Sequence, residues 1–383
     1  MVLAARLAGF GTTIFAEMTA LAARTGAVNL GQGFPDIDGP VEVRDAAIDA
    51  IRSGHNQYPP GIGIPELRHA IAAHQRRFYD LDLDPDSEVL VTTGATEAIA
   101  AVMLGLCEPG DEVLTFEPYY DSYAACIAMA GAERRVVTLR PPEYAFSVEE
   151  LRAAATDRTR VVMLNSPHNP TGKVFTREEL EQIAALCIER DLIVVTDEVY
   201  EHLVFDGEHI PISTLPGMRD RTLTISSGGK TFSFTGWKVG WACGPQRLLD
   251  AVRTAKQYLT YASGTPFQHA IAVGLALDDA YYASFVAELR AKRDRLAAGL
   301  ANAGLEVFPS DGTYFLTVDI RSVGESDGME FCRALPDRCG VVAVPNIVFY
   351  DDVEVGRPLV RFTFCKRDAV LDEAIARLGT LAR

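Results

Sequence analysis

The sequence predicts an α/β protein: a mostly parallel, seven-stranded sheet between helices, followed by a smaller α+β unit. Three observations predict it. Seven short, nearly continuous apolar runs lie at 89–92, 113–116, 135–138, 161–164, 193–196, 222–225 and 239–242. Helical patterns at 95–106, 120–130, 147–155 and 176–189 separate many of them. Strands that are apolar throughout, rather than on alternate positions, are buried on both faces, and strand–helix alternation is the signature of parallel pairing. After about residue 275 the rhythm changes: a long helical pattern over 281–302 leads to apolar runs at 313–318, 341–344 and 359–364, and to a closing helix from Asp368.

Ahead of the sheet, residues 1–28 form an amphipathic arm containing Phe15, and Asn29-Leu30-Gly31-Gln32-Gly33-Phe34-Pro35-Asp36 is a polar, glycine-broken loop. Residues 41–53 read as a helix with apolar positions 41, 43, 47, 48 and 51. The irregular stretch 55–63 contains Gly61-x-Gly63 but has Glu at 66, where a dinucleotide fingerprint needs a third glycine. Pro65 opens the next helix, where its ring is tolerated. The loop-rich interval 345–358 is either mobile or turned toward a functional site. There is no internal repeat or low-complexity segment. The expected division is an arm and part of a small domain at 1–45, a large domain at 46–275, and the rest of the small domain at 276–383.

Composition narrows the function. The chain has 383 residues, 48% hydrophobic and 23% charged, which suits a soluble two-domain enzyme. A net charge of −16 argues against a nucleic-acid partner, which needs clustered Lys and Arg. Uncharged runs are too short for a membrane span, and Met1 to Phe15 lacks the apolar core of a secretion signal. Seven cysteines, at 107, 126, 187, 243, 332, 339 and 365, form no C-x-x-C pair. That spacing favours neither a metal site nor a disulfide framework, and a reduced, cytoplasmic setting is expected. His168, His202 and His269 show no metal-ligand spacing and are read as structural; no metal is expected.

Ligands of parallel sheets bind beyond the C-terminal strand ends, and the polar candidates gather there. Lys230 follows the run 222–225 in a glycine-softened, mostly apolar turn. A solvated loop lysine is one reading. The other is a desolvated amine with a lowered pKa, nucleophilic toward carbonyls such as the aldehyde of pyridoxal phosphate. Gly229-Lys230-Thr231 also resembles the end of a P-loop, but that motif needs glycine at 224, which is Thr. Asp197 follows 193–196; it is either a helix cap or a carboxylate against a pyridine nitrogen, keeping the ring protonated as an electron sink. Tyr200, three residues on and on the same helical face, and Asn169, in the turn 165–172, would then reach the ring's phenolate oxygen; an ordinary turn is the alternative for Asn169. Thr93 to Glu97 opens a helix whose free N–H groups suit a phosphate, with Ser227 and Lys238 close by in sequence to Lys230. Arg361, in an apolar strand, needs an anion: a substrate carboxylate or a structural partner. Phe15, Tyr120 and Tyr261 are either core residues or, for Tyr120, placed to stack on a flat ring.

Taken together, Asn169-Pro170-Thr171-Gly172, Asp197-Glu198-Val199-Tyr200, Ser227-x-x-Lys230, Gly236-Trp237-Lys238-Val239-Gly240 and Arg361 resemble class I aminotransferases of the pyridoxal-phosphate fold type I. The order and spacing cover the chain from Asn29 to the last helix. Asn29 to Asp36, Asn56-Gln57-Tyr58 and Glu117-Pro118-Tyr119-Tyr120-Asp121 resemble the subgroup of kynurenine aminotransferase and glutamine transaminase K. Ser166 to Pro170 and Val360 to Asp368 resemble actinobacterial N-succinyldiaminopimelate aminotransferases within it. The resemblance implies that Lys230 carries the cofactor as a Schiff base and moves the substrate proton, that Asp197 pairs with the pyridinium, and that Asn169 and Tyr200 hold the phenolate. It implies Ala95, Thr96, Ser227 and Lys238 on the phosphate and Tyr120 stacked on the ring. Many relatives have Arg where Lys238 stands, and lysine lacks the two-pronged fork. Arg361, the Gly33 backbone and Asn169 would hold the substrate carboxylate, and Phe15 would line the mouth. Tyr58 and Tyr261 would come from a second subunit, making a homodimer with shared sites. The implied reaction carries an amino group from an L-amino acid to a 2-oxo acid, with N-succinyl-LL-2,6-diaminopimelate and 2-oxoglutarate as the expected couple in lysine biosynthesis. Broad kynurenine, glutamine or methionine transamination, with cysteine-conjugate β-lyase activity, is the alternative. A non-catalytic regulator is a third reading; the complete residue set and the acidic charge argue against it.

Overall fold

The computed structural model describes residues 4–11 and 13–381, and three sheets organise them. The first strand, β1 (Val28–Asn29), lies outside the main sheet. That sheet holds β2 (Val89–Thr92), β3 (Glu112–Glu117), β4 (Glu133–Thr138), β5 (Thr159–Asn165), β6 (Ile193–Asp197), β7 (Thr222–Ser227) and β8 (Gly240–Cys243). Their order is β2-β8-β7-β6-β5-β3-β4. Only β8 runs against the others: it is antiparallel to both β2 and β7, while the remaining pairs are parallel. Every residue of β2, β3, β7 and β8 is buried, as their unbroken apolar runs require. Edge strand β4 carries Arg134 and Arg135 on its two opposite faces, neither fully buried, which discourages pairing with another chain.

The parallel topology brings Thr92, Glu117, Asn165, Asp197 and Ser227 to one edge of the sheet, where β8 enters at Gly240. Helices then start from fixed caps. Thr176 and Glu179 form a reciprocal capping box on the helix Arg177–Glu189. Asp278 caps the 24-residue helix Asp279–Asn302. The helix Gly94–Leu106 is apolar nearly all round because it packs between Asp121–Ala130, Gln246–Lys256 and the sheet.

The C-terminal strands are β9 (Glu306–Val307), β10 (Phe315–Asp319), β11 (Val341–Val342), β12 (Val344–Pro345) and β13 (Leu359–Thr363). Four of them make an antiparallel sheet, β12-β13-β10-β9, in which Arg361 pairs with Thr317 on one side and Val344 on the other. The fifth, β11, pairs in parallel with β1, Val28 against Val341. The arm helix Ile14–Thr25, buried through Ile14, Met18, Leu21 and Ala22, packs on the helix Gly328–Cys339 beside this ribbon. The N-terminal arm is thereby tied to the C-terminal unit.

Several expectations are corrected. The run 341–344 is two strands in two sheets, because Ala343 separates a residue pair bonded to β1 from one bonded to β13. Lys230 sits in a one-turn helix, Gly228–Thr231, rather than an open turn. Residues 199–202 are turns, so Tyr200 does not share a helical face with Asp197. In the helix Val41–Arg52 the buried face is Val43, Ala47 and Ala50, whereas Val41, Ile48 and Ile51 are exposed. The interval 345–358 contains a 3-10 turn, Asn346–Phe349, and a short helix, Val353–Gly356. Among the described residues no single helix is long and apolar enough to cross a membrane.

Candidate active site

A cavity of about 250 Å³ opens at the edge where the parallel strands end. Lys230, Asp197, Tyr200, Asn169, Ala95, Thr96, Tyr120, Ser227, Lys238, Phe15, Gly33 and Arg361 all line it. Those twelve come from loops, helix starts and strands spread over most of the chain. Tyr58 and Tyr261 do not line it: they stand outside, 84% and 47% exposed, with rings edge to face at 5.6 Å.

The one-turn helix after β7 lifts Lys230 into the cavity. Its Nζ donates to the Tyr314 hydroxyl at 2.9 Å and lies over the rings of Tyr200 and Tyr314 at 5.6 and 5.5 Å. The Tyr314 hydroxyl in turn donates to the Gly33 carbonyl at 2.6 Å. Gly33 allows this approach because a Cβ there would meet the Phe315 ring at 2.7 Å. Desolvation by these walls pulls the Lys230 ammonium down to about 8, against the smaller opposing pull of Cys365 and Asp197. The neutral amine is therefore reached at lower pH than in an ordinary lysine.

Asp197, at the end of β6, is buried, and desolvation raises its carboxyl to about 6 even though two donors oppose the shift. Those donors are the Tyr123 hydroxyl, 2.6 Å from Oδ2, and the Val199 N–H, 3.3 Å from Oδ1. The carboxylate is thus oriented by the protein and awaits a cationic partner. Asn165, at the end of neighbouring β5, donates from Nδ2 to the Asp197 carbonyl at 2.7 Å and accepts the Asn169 N–H on Oδ1 at 2.7 Å. One side chain therefore sets the spacing between Asp197 and Asn169. Tyr200 is buried against Tyr314 and Phe315, and burial pushes its phenol up, keeping it a donor.

The helix Gly94–Leu106 points its N-terminus into the cavity. Gly94 has φ +74°, and the Lys238 side chain passes over it, so that a Cβ there would meet Lys238 Nζ at 3.2 Å. Gly240 carries no Cβ and lets β8 touch the Gly94–Ala95 peptide, where a methyl would come within 2.6 Å. Free N–H groups, the helix dipole, Ser227 and an exposed ammonium converge on one spot suited to a dianion.

Arg361 is 1% exposed and lies over the ring of Phe315 at 4.0 Å, with Phe349 and Phe15 at 5.2 and 5.3 Å. Nη1 donates to Asn169 Oδ1 at 2.9 Å and Nη2 to the Gly31 carbonyl at 3.2 Å, while buried Nε has no partner. Among the described residues no carboxylate pairs with it, so the structural ion pair is not formed. Desolvation pulls the guanidinium down to about 10, against the smaller opposing pulls of Tyr200, Tyr314 and Asp121.

Tyr123, Asn165, Tyr314, Phe315 and Phe349 contact the candidate site residues, and sequence reasoning did not single them out. Tyr123 is one turn after Tyr120 on a helix facing the sheet, which was a usable signal; the others carried none. Tyr123→Phe should lower kcat by about tenfold or more with little change in donor KM, since a hydrogen bond to a charged group contributes roughly 1.5–3 kcal/mol. Steady-state kinetics on the two proteins checks this.

The profile of the family described as aminotransferase class I and II matches residues 25–378. The chain is 56% identical to the probable N-succinyldiaminopimelate aminotransferase DapC of Mycobacterium tuberculosis, over 98% of both sequences. It is 40% identical to kynurenine–oxoglutarate transaminase 3 of Rattus norvegicus, over 97% of this chain and 88% of that protein. The solved structure of the M. tuberculosis N-succinyldiaminopimelate aminotransferase superposes with a TM-score of 0.97 at 56% identity, covering 99% of this chain and 100% of that one.

Proposed function

The chain belongs to the class I and II aminotransferases, a membership that implies a pyridoxal-phosphate cofactor, and we propose that it moves the amino group of N-succinyl-LL-2,6-diaminopimelate to 2-oxoglutarate. The observation that carries transamination is the pairing, in one cavity, of a desolvated amine with a buried guanidinium lacking an anion. The succinylated donor is favoured by the 56% identity along the whole chain.

The residues fit the cofactor. Asp197 offers a carboxylate fixed by Tyr123, Asn169 and Tyr200 offer donors for a phenolate, and Tyr120 offers an aromatic face. Ala95, Thr96, Ser227 and Lys238 would take the phosphate at the glycine-tightened helix start. When bound, pyridoxal phosphate supplies an electron sink for the carbanion left at the substrate Cα. Lys230 Nζ, whose ammonium burial pulls down to about 8, accepts that Cα proton in its neutral form and later returns it. Asp197 holds its negative charge against the sink, and Tyr123 keeps that charge aimed. Arg361 takes the substrate α-carboxylate on the edge that Nε leaves open, with Asn169 fixing the guanidinium plane. Phe15, Phe315 and Phe349 exclude water around this contact and strengthen it.

The same proposal includes a homodimer, in which Tyr58 and Tyr261 of a second copy complete the site. Exposed Val41, Ile48, Ile51, Tyr58, Tyr258 and Leu259 support a covered apolar face. A large domain at 46–275 and a cytoplasmic setting belong to the same reading. Kynurenine or another aromatic donor is the second reading, supported by the aromatic lining and the rat relative. A donor panel with 2-oxoglutarate, scored by glutamate, separates them. The succinylated donor should give a kcat/KM at least tenfold above kynurenine, glutamine, methionine and phenylalanine. An inert succinylated donor beside an active kynurenine overturns the biosynthetic assignment. Pyruvate and ammonia from a cysteine conjugate without any acceptor would reveal β-lyase chemistry.

A further inference from the structure

Glu201 and His202 follow Tyr200 directly but do not line the cavity; they turn toward the helix Pro65–Tyr79. There they meet His74. The Nε2 atoms of His74 and His202 are 2.7 Å apart, and one ligand atom from each of His74, Glu201 and His202 lies within 4.8 Å of the other two. Given those separations, some point lies within about 2.5 Å of all three, a few tenths of an ångström beyond Zn–N and Zn–O bonds of roughly 2.0–2.2 Å. His202 was read from sequence as structural, since its partner is 128 residues away.

A hydrogen bond between the two imidazoles accounts for only part of what is seen. Glu201 is buried; Oε1 accepts the Ser226 hydroxyl at 2.5 Å, and Oε2 has no partner. Gln75 is also buried, with its Nε2 3.4 Å from His74 Nδ1 and its Oε1 without a partner. The orientation of an amide is assigned from its surroundings. Turning the Gln75 amide over puts Oε1 against His74 Nδ1–H, which satisfies the orphan oxygen. That tautomer leaves the Nε2 lone pair free. A cation between the three side chains would replace the proton shared by the two Nε2 atoms, with His202 taking its Nδ1–H tautomer, and would use the free Glu201 oxygen, with Gln75 orienting the His74 ring as outer partners of metal-bound histidines do. The nearby Arg77 guanidinium, which lies over the rings of Phe78 and Tyr282, is engaged by Asp279, which blunts its repulsion of a second cation. Phe78 and Tyr282 wall the cluster, while His202 is only partly covered and offers an entry path.

We propose that His74, Glu201 and His202 form a three-ligand site for a divalent d-block cation of the Zn²⁺ type, separate from the catalytic cavity. Two imidazoles and one carboxylate select Zn²⁺, Co²⁺ or Ni²⁺ over Mg²⁺ and Ca²⁺, which take oxygen ligands. The ion pins the turn carrying Tyr200 to the helix Pro65–Tyr79. Its occupancy does not depend on which amino donor the enzyme prefers.

The test uses the cofactor-loaded full chain, freed of metal with a chelator and titrated with Zn²⁺ by calorimetry. One Zn²⁺ should bind per chain and raise the unfolding temperature. His202→Ala should weaken binding at least tenfold and abolish the temperature shift, with far-ultraviolet circular dichroism and cofactor absorbance confirming its fold. His55→Ala removes half of the His55–His269 ring pair, 4.2 Å between centroids, and should change nothing. X-ray absorption on the Zn²⁺-loaded wild type gives a reading free of any folding defect: two imidazoles and oxygen, without sulfur. No stoichiometric binding, binding that survives His202→Ala, binding lost in His55→Ala, or sulfur in the ligand shell each overturns the site.

Discussion

Lys230→Ala should reduce transamination by about 10⁴-fold or more, because one substitution removes both the nucleophile and the proton carrier. Acid–base catalysis alone is worth roughly 10²–10⁴-fold. Single-turnover formation of glutamate from 2-oxoglutarate measures the loss, and a variant within tenfold of wild type would refute the role. The amine has its own pH signature in cofactor-stripped protein. Burial lowers it from 10.5 to about 8, so the reactive neutral form grows as pH rises through 8 and is nearly complete by 10. Labelling of Lys230 by an amine-specific reagent should follow that curve and level off, where an ordinary lysine would still be gaining reactivity. Peptide mapping after borohydride reduction of the loaded enzyme should locate the trapped adduct on Lys230.

The legible part of this site consists of groups whose chemistry is odd for their local setting. Lys230 in an apolar stretch and Arg361 inside a strand both lack local partners, and Asp197 and Asn169 sit just past strand ends. The two cations are locally anomalous, and for the two residues at strand ends parallel topology alone predicts that they converge. Tyr123, Asn165 and Tyr314 were illegible for the opposite reason. An aromatic on a buried helix face and an asparagine in a turn are locally ordinary, and their roles arise only when β5 lies beside β6 and the Gly33 loop meets Tyr314. The fold divides in the same way. The seven sheet strands announce themselves by apolar runs, whereas β1 and β11 have two residues each and form only because distant parts of the chain meet. The helix Gly328–Cys339 holds Pro336 in its interior, a residue that argues against helix when only the sequence is read. His202 looked structural because metal spacing is sought along the chain, whereas packing of a helix against a turn brings His74 beside it in space.

Arg361→Ala should raise KM for every amino donor and for 2-oxoglutarate, since all share an α-carboxylate. Truncating one partner of a buried, hydrogen-bonded charge pair costs roughly 2–5 kcal/mol, or about 30- to 4,000-fold in kcat/KM. The cation is stacked on Phe315, bonded to Asn169 and Gly31, and paired with no protein carboxylate among the described residues, so its natural anion must be brought in by the substrate. Arg361→Lys should recover only part of the loss, because an ammonium keeps the charge but not the planar fork. Removing the side chain also leaves Asn169 Oδ1 and the Gly31 carbonyl without their donor, so some loss of thermal stability is expected. Guanidinium in solution separates the two effects: it should restore turnover of Arg361→Ala at low concentration, where a merely unfolded protein would gain nothing. A variant that loses one donor and keeps another would show that Arg361 reads a distal group, and the α-carboxylate would then need a different anchor in this cavity.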